Sequence, residues 1–289
     1  MDLSIIIVNY NTKELLKQTI QSVIDNTQNI SYEIIVVDNA SVDGSCDMVN
    51  KDYPQVKVIK NTDNLGFPKA NNKGIKIASG RYVMLLNSDT YVLENCLESC
   101  INYMDKYEDI GALGCKLVLA NGELDHACKR GFPTPEASLY YLLKLDKLFP
   151  EVKKFGQYKM SYVFEDEISE VDSLTGAFMI VKREVIKKIG VLDETFFMYG
   201  EDIDWCYRIK EAGYKVMYYP EVRTIHYKGQ SSKKKRLKTI YEFHRAMYIF
   251  YNKHYYKKYN FLVTLFVYIG ITLRLMLALL VNIFKRKTV

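Results

Sequence analysis

Leu3-Ser4-Ile5-Ile6-Ile7-Val8, followed after a short helical stretch by Glu33-Ile34-Ile35-Val36-Val37, is the reading on which the fold turns. Neither run alternates apolar with polar, so each suits a strand covered on both faces, as in a parallel sheet. Between them Leu15, Leu16, Ile20, Val23 and Ile24 recur at helical spacing over Lys13 to Ile24. The pattern then repeats. Val56 to Ile59 predicts a third strand and Pro68 to Ala78 a helix, since Pro suits a first turn. Gly80 ends that helix, and Tyr82 to Leu86 predicts a fourth strand. A β-α-β-α-β rhythm of this kind implies an α/β fold with a doubly wound, mainly parallel sheet.

Downstream the rhythm loosens. Glu94 to Tyr107 predicts a helix, Ala112 to Leu119 a strand, and Asn121-Gly122 a tight turn. Pro133 to Glu170, rich in Lys, Tyr and Phe, reads as an irregular, mobile region beside an acceptor. Asp172 to Val181 predicts a strand, Ile203 to Ala212 a helix stopped by Gly213, and Lys215 to Tyr219 a late strand.

The C-terminus has another character. Thr239 to Asn252 predicts an aromatic-rich helix, and Phe261 to Phe284 is a mostly apolar run of 24 residues. As one helix it would measure about 36 Å, enough to cross a hydrocarbon core. Arg274 in its middle and the polar Thr264, Thr272 and Asn282 oppose a simple span, because a mid-membrane arginine costs about 2.5–3.5 kcal/mol even on an insertion scale. Two short helices hinged at Gly270 and lying in the interface of an anionic leaflet fit better, with a span and an oligomer contact as alternatives. The chain therefore divides into 1–232, a catalytic unit, and 233–289, a basic and aromatic helical region for membrane-surface attachment or oligomerisation.

Composition narrows the class. The net charge of +6 over 289 residues gathers in Lys233-Lys234-Lys235-Arg236 and Lys285-Arg286-Lys287, and many of the 24 tyrosines lie beside the apolar tail. Aromatics and lysines next to apolar sequence suit a membrane interface better than a nucleic-acid face, which asks for a broad basic surface. The six cysteines form no CxxC pair, and Met1-Asp2-Leu3-Ser4 enters a strand directly, so reduced cysteines and chemistry on the cytosolic side are expected. Asn9-Tyr10-Asn11-Thr12 after the first strand lacks the glycines of a phosphate-cradling loop, which argues against a nucleotidyltransferase.

Three acidic motifs stand in order beside apolar runs: Val36-Val37-Asp38-Asn39-Ala40-Ser41, Leu86-Asn87-Ser88-Asp89-Thr90 and Phe197-Met198-Tyr199-Gly200-Glu201-Asp202. Carboxylates at strand ends of an α/β sheet mark a ligand crevice. With Ser4 to Asn11, Asn61-Thr62-Asp63-Asn64-Leu65-Gly66-Phe67, Asn71-Asn72-Lys73-Gly74-Ile75, Thr175-Gly176-Ala177-Phe178-Met179 and Ile203-Asp204-Trp205-Cys206, the chain resembles the inverting family 2 glycosyltransferases of GT-A fold over about residues 3–255. The wording is nearest the rhamnosyltransferase-like branch.

That resemblance implies a nucleotide-sugar donor, with dTDP-rhamnose favoured over a UDP-hexose, and a lipid-linked or polymeric glycan acceptor at the cytoplasmic face of the membrane. It implies that Asn9 and Asp38 hold the base, that Asn64 and Asn87 line the donor pocket and that Arg208 meets the phosphates. Asp89 would bind Mg²⁺ or Mn²⁺ with His226 nearby, a cation suited to neutralising a leaving diphosphate. Asn87 replaces the first aspartate of the usual metal motif, and Pro68-Lys69-Ala70 replaces the small residues usual after Gly-Phe. Asp202 would be the catalytic base, with Glu201 as the alternative, and Trp205 would face the acceptor. A non-catalytic membrane-surface protein is the competing class, and the intact Asp38, Asp89 and Asp202 speak against it.

Overall fold

The computed structural model describes residues 1–228 and 236–286. The 232/233 boundary, Lys233-Lys234-Lys235 and Lys287 lie outside the described residues, as do the side chains of Arg236, Lys285 and Arg286.

The N-terminal half is the expected alternation, through β1 (Leu3–Asn9), α1 (Lys13–Asn26), β2 (Tyr32–Asp38), α2 (Ser45–Asp52), β3 (Lys57–Lys60), α3 (Phe67–Ile77) and β4 (Tyr82–Asn87). These four strands run parallel in the order β3-β2-β1-β4. Leu3, Ile5, Ile6 and Ile7 of β1 and Ile35 and Val37 of β2 are wholly buried, which explains their unbroken apolar sequence. A leucine or isoleucine buried this way contributes about 1.5–3 kcal/mol. The register pairs Asn9 with Asp38 and Val8 with Asn87, so the motif-bearing strand ends stand level on one edge. β1 sits where the strand order reverses, and a crevice opens there.

Next come β5 (Thr90–Val92), α4 (Cys96–Lys106), β6 (Ile110–Leu119), three short helices α5 (Pro135–Leu142), α6 (Leu145–Leu148) and α7 (Lys153–Gly156), then β7 (Ser169–Glu170), β8 (Phe178–Lys182), α8 (Arg183–Ile189), α9 (Glu201–Glu211) and β9 (Lys215–His226). They extend the sheet through β8, β6, β9 and β5, with β7 also on β9. This half mixes directions: β8 is antiparallel to β4 and β6, while β9 is parallel to β6.

Several expectations are corrected. α2 and α8 were not foreseen, being short and weakly periodic. Residues 172–177 are loop rather than strand, and Ser173 there exchanges backbone hydrogen bonds with Arg130 at 2.8 and 3.0 Å. The late strand runs on to His226, with Pro220 accommodated where the β6–β9 register shifts. The irregular region from Pro133 holds α5, α6 and α7. α10 (Arg236–His254) is followed by α11 (Phe261–Arg286), a single helix with no hinge at Gly270. The helix runs unbroken through Gly270, where even a Cβ would meet nothing within 4 Å.

Candidate active site

The crevice at the strand ends has a volume of about 500 Å³. β1 and β2 lead into Tyr10 and Asn39 at its rim, and the segment before α3 supplies Asn64, Gly66 and Phe67. The end of β4 gives Asn87, Ser88 and Asp89, and the start of α9 gives Glu201 and Asp202. Phe243, Ala246, Met247 and Phe250 of α10 close one wall.

Gly66 is required for this shape. At φ +85° and ψ 176° it occupies a region nearly reserved for glycine, and a Cβ there would stand 2.4 Å from the Phe197 carbonyl oxygen. That carbonyl accepts from the Phe67 amide at 2.8 Å and ties the donor-side loop to the segment before α9.

Sheet register assembles a polar cluster. Antiparallel pairing of β5 with β9 sets Thr90 opposite His226, which brings the imidazole against Asp89. His226 Nε2 lies 3.3 Å from Asp89 Oδ1 and 3.4 Å from Asn87 Nδ2. On the other side His226 Nδ1–H donates to Asp125 Oδ2 at 2.9 Å, and Lys228 Nζ donates to Asp125 Oδ1 at 2.7 Å. Burial disfavours a charged imidazole, but the bonds to Asp125 and Asp89 outweigh it and raise His226 to about 9. Burial likewise opposes the Asp125 carboxylate, yet His226 and Lys228 hold it well below the usual range. A carboxylate behind one imidazole nitrogen is how proteins orient a metal-ligating histidine, and a cation binding at Nε2 would displace the proton that faces Asp89. Among the described residues no third His, Cys, Asp or Glu joins them to make a closed cage. Two protein ligands fit Mg²⁺ or Mn²⁺, which keep waters and take oxygens from substrate phosphates.

The second centre is Asp202. Its Oδ2 accepts from Arg130 Nη2 at 2.8 Å and from the Gly176 amide at 3.2 Å, and Oδ1 accepts from the Ile203 amide at 2.8 Å. The same Arg130 nitrogen also donates to the Leu174 carbonyl at 2.8 Å. These donors fix the orientation of the carboxylate at the first turn of α9. In Glu201 beside it, burial and the Asp202 charge push the carboxyl up to about 8, which favours its protonated form at neutral pH. Glu201 Oε2 and Arg130 Nε are buried without a hydrogen-bond partner among the described residues, two polar atoms at a crevice that a polar ligand would satisfy.

Of the residues singled out in the sequence, Asn64, Asn87, Asp89, His226, Glu201 and Asp202 all line the crevice. Four do not. Asp38 is fully buried, its Oδ1 accepting from the Ser41 amide at 2.8 Å. Asn9 is also fully buried and donates to Ser41 Oγ at 3.0 Å, so both shape the turn beneath the rim that Tyr10 and Asn39 present. Trp205 lies in the core and its indole N–H donates to the Gly190 carbonyl at 3.0 Å. On a helix, three residues beyond Asp202 returns nearly to the same face, but here that face turns inward past the first turn. Arg208 pairs with Asp204 at 2.9 Å and donates to the Ile189 and Val191 carbonyls, which uses its guanidinium structurally. Arg130, Asp125 and Lys228 were missed. Arg130 sits in a loop with no periodicity, and only the Arg130-Gly131-Phe132-Pro133 run hinted at a fixed backbone.

The profile of Glycosyl transferase family 2 matches residues 4–163, and that of Glycosyl transferase family group 2 matches residues 151–288. The N-acetylglucosaminyl-diphospho-decaprenol L-rhamnosyltransferase of Mycobacterium tuberculosis is 23% identical over 259 residues, covering 86% of this chain and 83% of that protein. The O-antigen biosynthesis protein RfbC of Myxococcus xanthus is 26% identical over 232 residues, or 79% of this chain, but this match spans only 17% of that protein. Among solved structures, GalNAc-T7 with UDP, GalNAc and Mn²⁺ superposes with a TM-score of 0.62 at 20% identity, covering 87% of this chain and 50% of that one. At that identity the likeness bears on the fold alone.

Proposed function

The chain belongs to glycosyl transferase family 2 and is a glycosyltransferase of GT-A fold, and we propose that it moves a sugar with inversion from a nucleotide-diphosphate donor to a hydroxyl of a lipid-linked or polymeric glycan. The meeting of Asp202, held by Arg130, with Glu201 and the Asp89–His226 cluster in the lining of one crevice carries this reading. In it the base stacks by Tyr10 with Asn39 at its edge, and Asn64 and Asn87 line the donor pocket. Asp89 and His226 hold Mg²⁺ or Mn²⁺, which when bound neutralises charge on the leaving diphosphate. Lys228 adds a positive charge beside them.

Asp202 takes the proton of the acceptor hydroxyl as it attacks the anomeric carbon, a role for a positioned carboxylate. Arg130 and two backbone amides fix its orientation. Glu201, protonated, donates a hydrogen bond to a sugar hydroxyl rather than acting as base.

dTDP-rhamnose is the favoured donor, supported by the rhamnosyltransferase relative. A UDP-hexose is the second reading, supported by a relative from Escherichia coli, the UDP-Glc:alpha-D-GlcNAc-diphosphoundecaprenol beta-1,3-glucosyltransferase WfaP, 36% identical over 103 residues. Residues 1–232 carry the catalytic side chains in this account, and 233–289, whose α10 closes one wall of the crevice, keep them at the cytoplasmic face of the membrane. Donor binding and hydrolysis over a panel of nucleotide sugars, with Mg²⁺, Mn²⁺ or a chelator, test the proposal. One donor should bind with metal, and Asp89→Ala should abolish that binding. Failure of every nucleotide sugar to bind, with or without metal, would overturn it.

A further inference from the structure

α10 and α11 lie side by side and antiparallel. Tyr251 meets Thr264 through their hydroxyls at 2.8 Å, Tyr248 stacks on Tyr268 with ring centroids 4.5 Å apart, and the Arg274 guanidinium sits 5.5 Å from the Phe243 ring centroid. Numbers fall along α10 as they rise along α11. The opposite face of α11 is bare. Leu262, Phe266, Ile269, Leu273, Leu277 and Leu280 follow helical spacing and are all exposed. That is a continuous apolar stripe along a helix of 26 residues.

α10 is fastened to the catalytic body. Lys253 Nζ pairs with Asp204 at 2.8 Å, His254 Nε2 with the same carboxylate at 2.7 Å, and Arg245 donates to the Thr195 carbonyl at 2.9 Å. Its Phe243, Met247 and Phe250 wall the crevice. Were α11 to cross a bilayer, α10 alongside it would be carried into hydrocarbon with Glu242, Arg245 and Lys253. A crevice meant for a charged nucleotide would go with them. Charged groups at such depth cost kilocalories each. A helix lying in the headgroup region avoids this.

Charge identifies the surface. From residue 243 to 286 there is no Asp or Glu, while Arg245, Lys253, Lys257, Lys258, Arg274, Lys285 and Arg286 are all basic. Such a segment is complementary to an anionic leaflet. We infer that α11 lies flat in the interface of an anionic bilayer, its apolar stripe toward the acyl chains, with α10 sandwiched between it and the crevice. The crevice then opens beside the lipid surface, within reach of a headgroup-linked glycan. This deepens the proposed membrane attachment and rests on that part of the functional reading.

The full chain in membranes tests the inference. All six native cysteines are buried, so introduced thiols report cleanly. In inverted membrane vesicles, Lys257→Cys and a cysteine appended after Val289 should both react with an impermeant maleimide without detergent. Nitroxides at Leu262→Cys and Leu273→Cys should report the same shallow depth. In flotation, purified chain should bind vesicles containing phosphatidylglycerol and not phosphatidylcholine alone. Protection of the appended cysteine until detergent is added, with a depth maximum at Leu273, would overturn the inference in favour of a span. Dimerisation through the stripe without vesicle binding would overturn it in favour of a second copy. Donor hydrolysis in the same vesicles separates the two readings: correct labelling without turnover of any donor would sink the proposed activity and leave the flat helix standing.

Discussion

Arg130 Nη2 donates to Asp202 Oδ2 at 2.8 Å, across a sequence separation of 72 residues. The link joins a loop after β6 to the first turn of α9, and it fixes the orientation of the carboxylate proposed to take the acceptor's proton. Arg130→Ala, Asp202→Ala and the double variant form a cycle in urea denaturation. The account expects a favourable coupling of about 0.5–3 kcal/mol. Additive losses would mean the contact contributes no stability.

Glu201 links stability to pH. Its carboxyl is raised from 4.5 to about 8, so between those pH values the folded chain binds more protons than the unfolded one. Stability contributed by the protonated form is complete below pH 4.5 and is lost as pH rises through 8. Glu201→Gln removes that loss. Melting curves of the two proteins should diverge steadily from pH 5 to pH 8, with the variant the more stable at the upper end. Parallel curves would rule out a protonated Glu201.

Gly66 and Gly122 share φ +85°, yet a Cβ on Gly122 meets nothing within 4 Å. Gly122→Ala should therefore cost only the left-handed backbone, about 1–2 kcal/mol. Gly66→Ala must also move the Phe197 carbonyl, so it should cost more than twice as much and weaken donor binding. Calorimetry on both variants checks the contrast.

Trp205→Phe tests the corrected assignment of that residue. The variant loses the hydrogen bond to Gly190 and part of the packing, so its melting temperature should fall while the acceptor KM stays unchanged. A raised acceptor KM at unchanged stability would return Trp205 to the crevice.

The parallel half of the fold was legible because strands buried on both faces write unbroken apolar runs, as in Leu3 to Val8. The positions of Asp89 and Asp202 were legible because each ends or begins a recognisable element. Arg130 and Asp125 were not, because long-range pairing brings them in from loops whose sequence carries no period. Asp38 illustrates a different limit. A carboxylate at a strand end can serve the ligand or the turn, and only its bond to the Ser41 amide distinguishes the two. The straight course of α11 was hidden by Gly270, which a sequence reading treats as a break and the helix tolerates at about 1 kcal/mol.

The central claim is that Asp202 is the base and that donor binding does not need it. Asp202→Asn is isosteric and keeps a side-chain acceptor toward Arg130. Donor affinity by titration calorimetry and single-turnover transfer to a glycan acceptor, measured on this variant and on wild type, test the claim together. The account predicts donor affinity close to wild type and transfer slowed by about 10²–10⁴-fold, the usual contribution of general-base catalysis. Transfer at the wild-type rate in Asp202→Asn, with loss of transfer in Glu201→Gln instead, would contradict it.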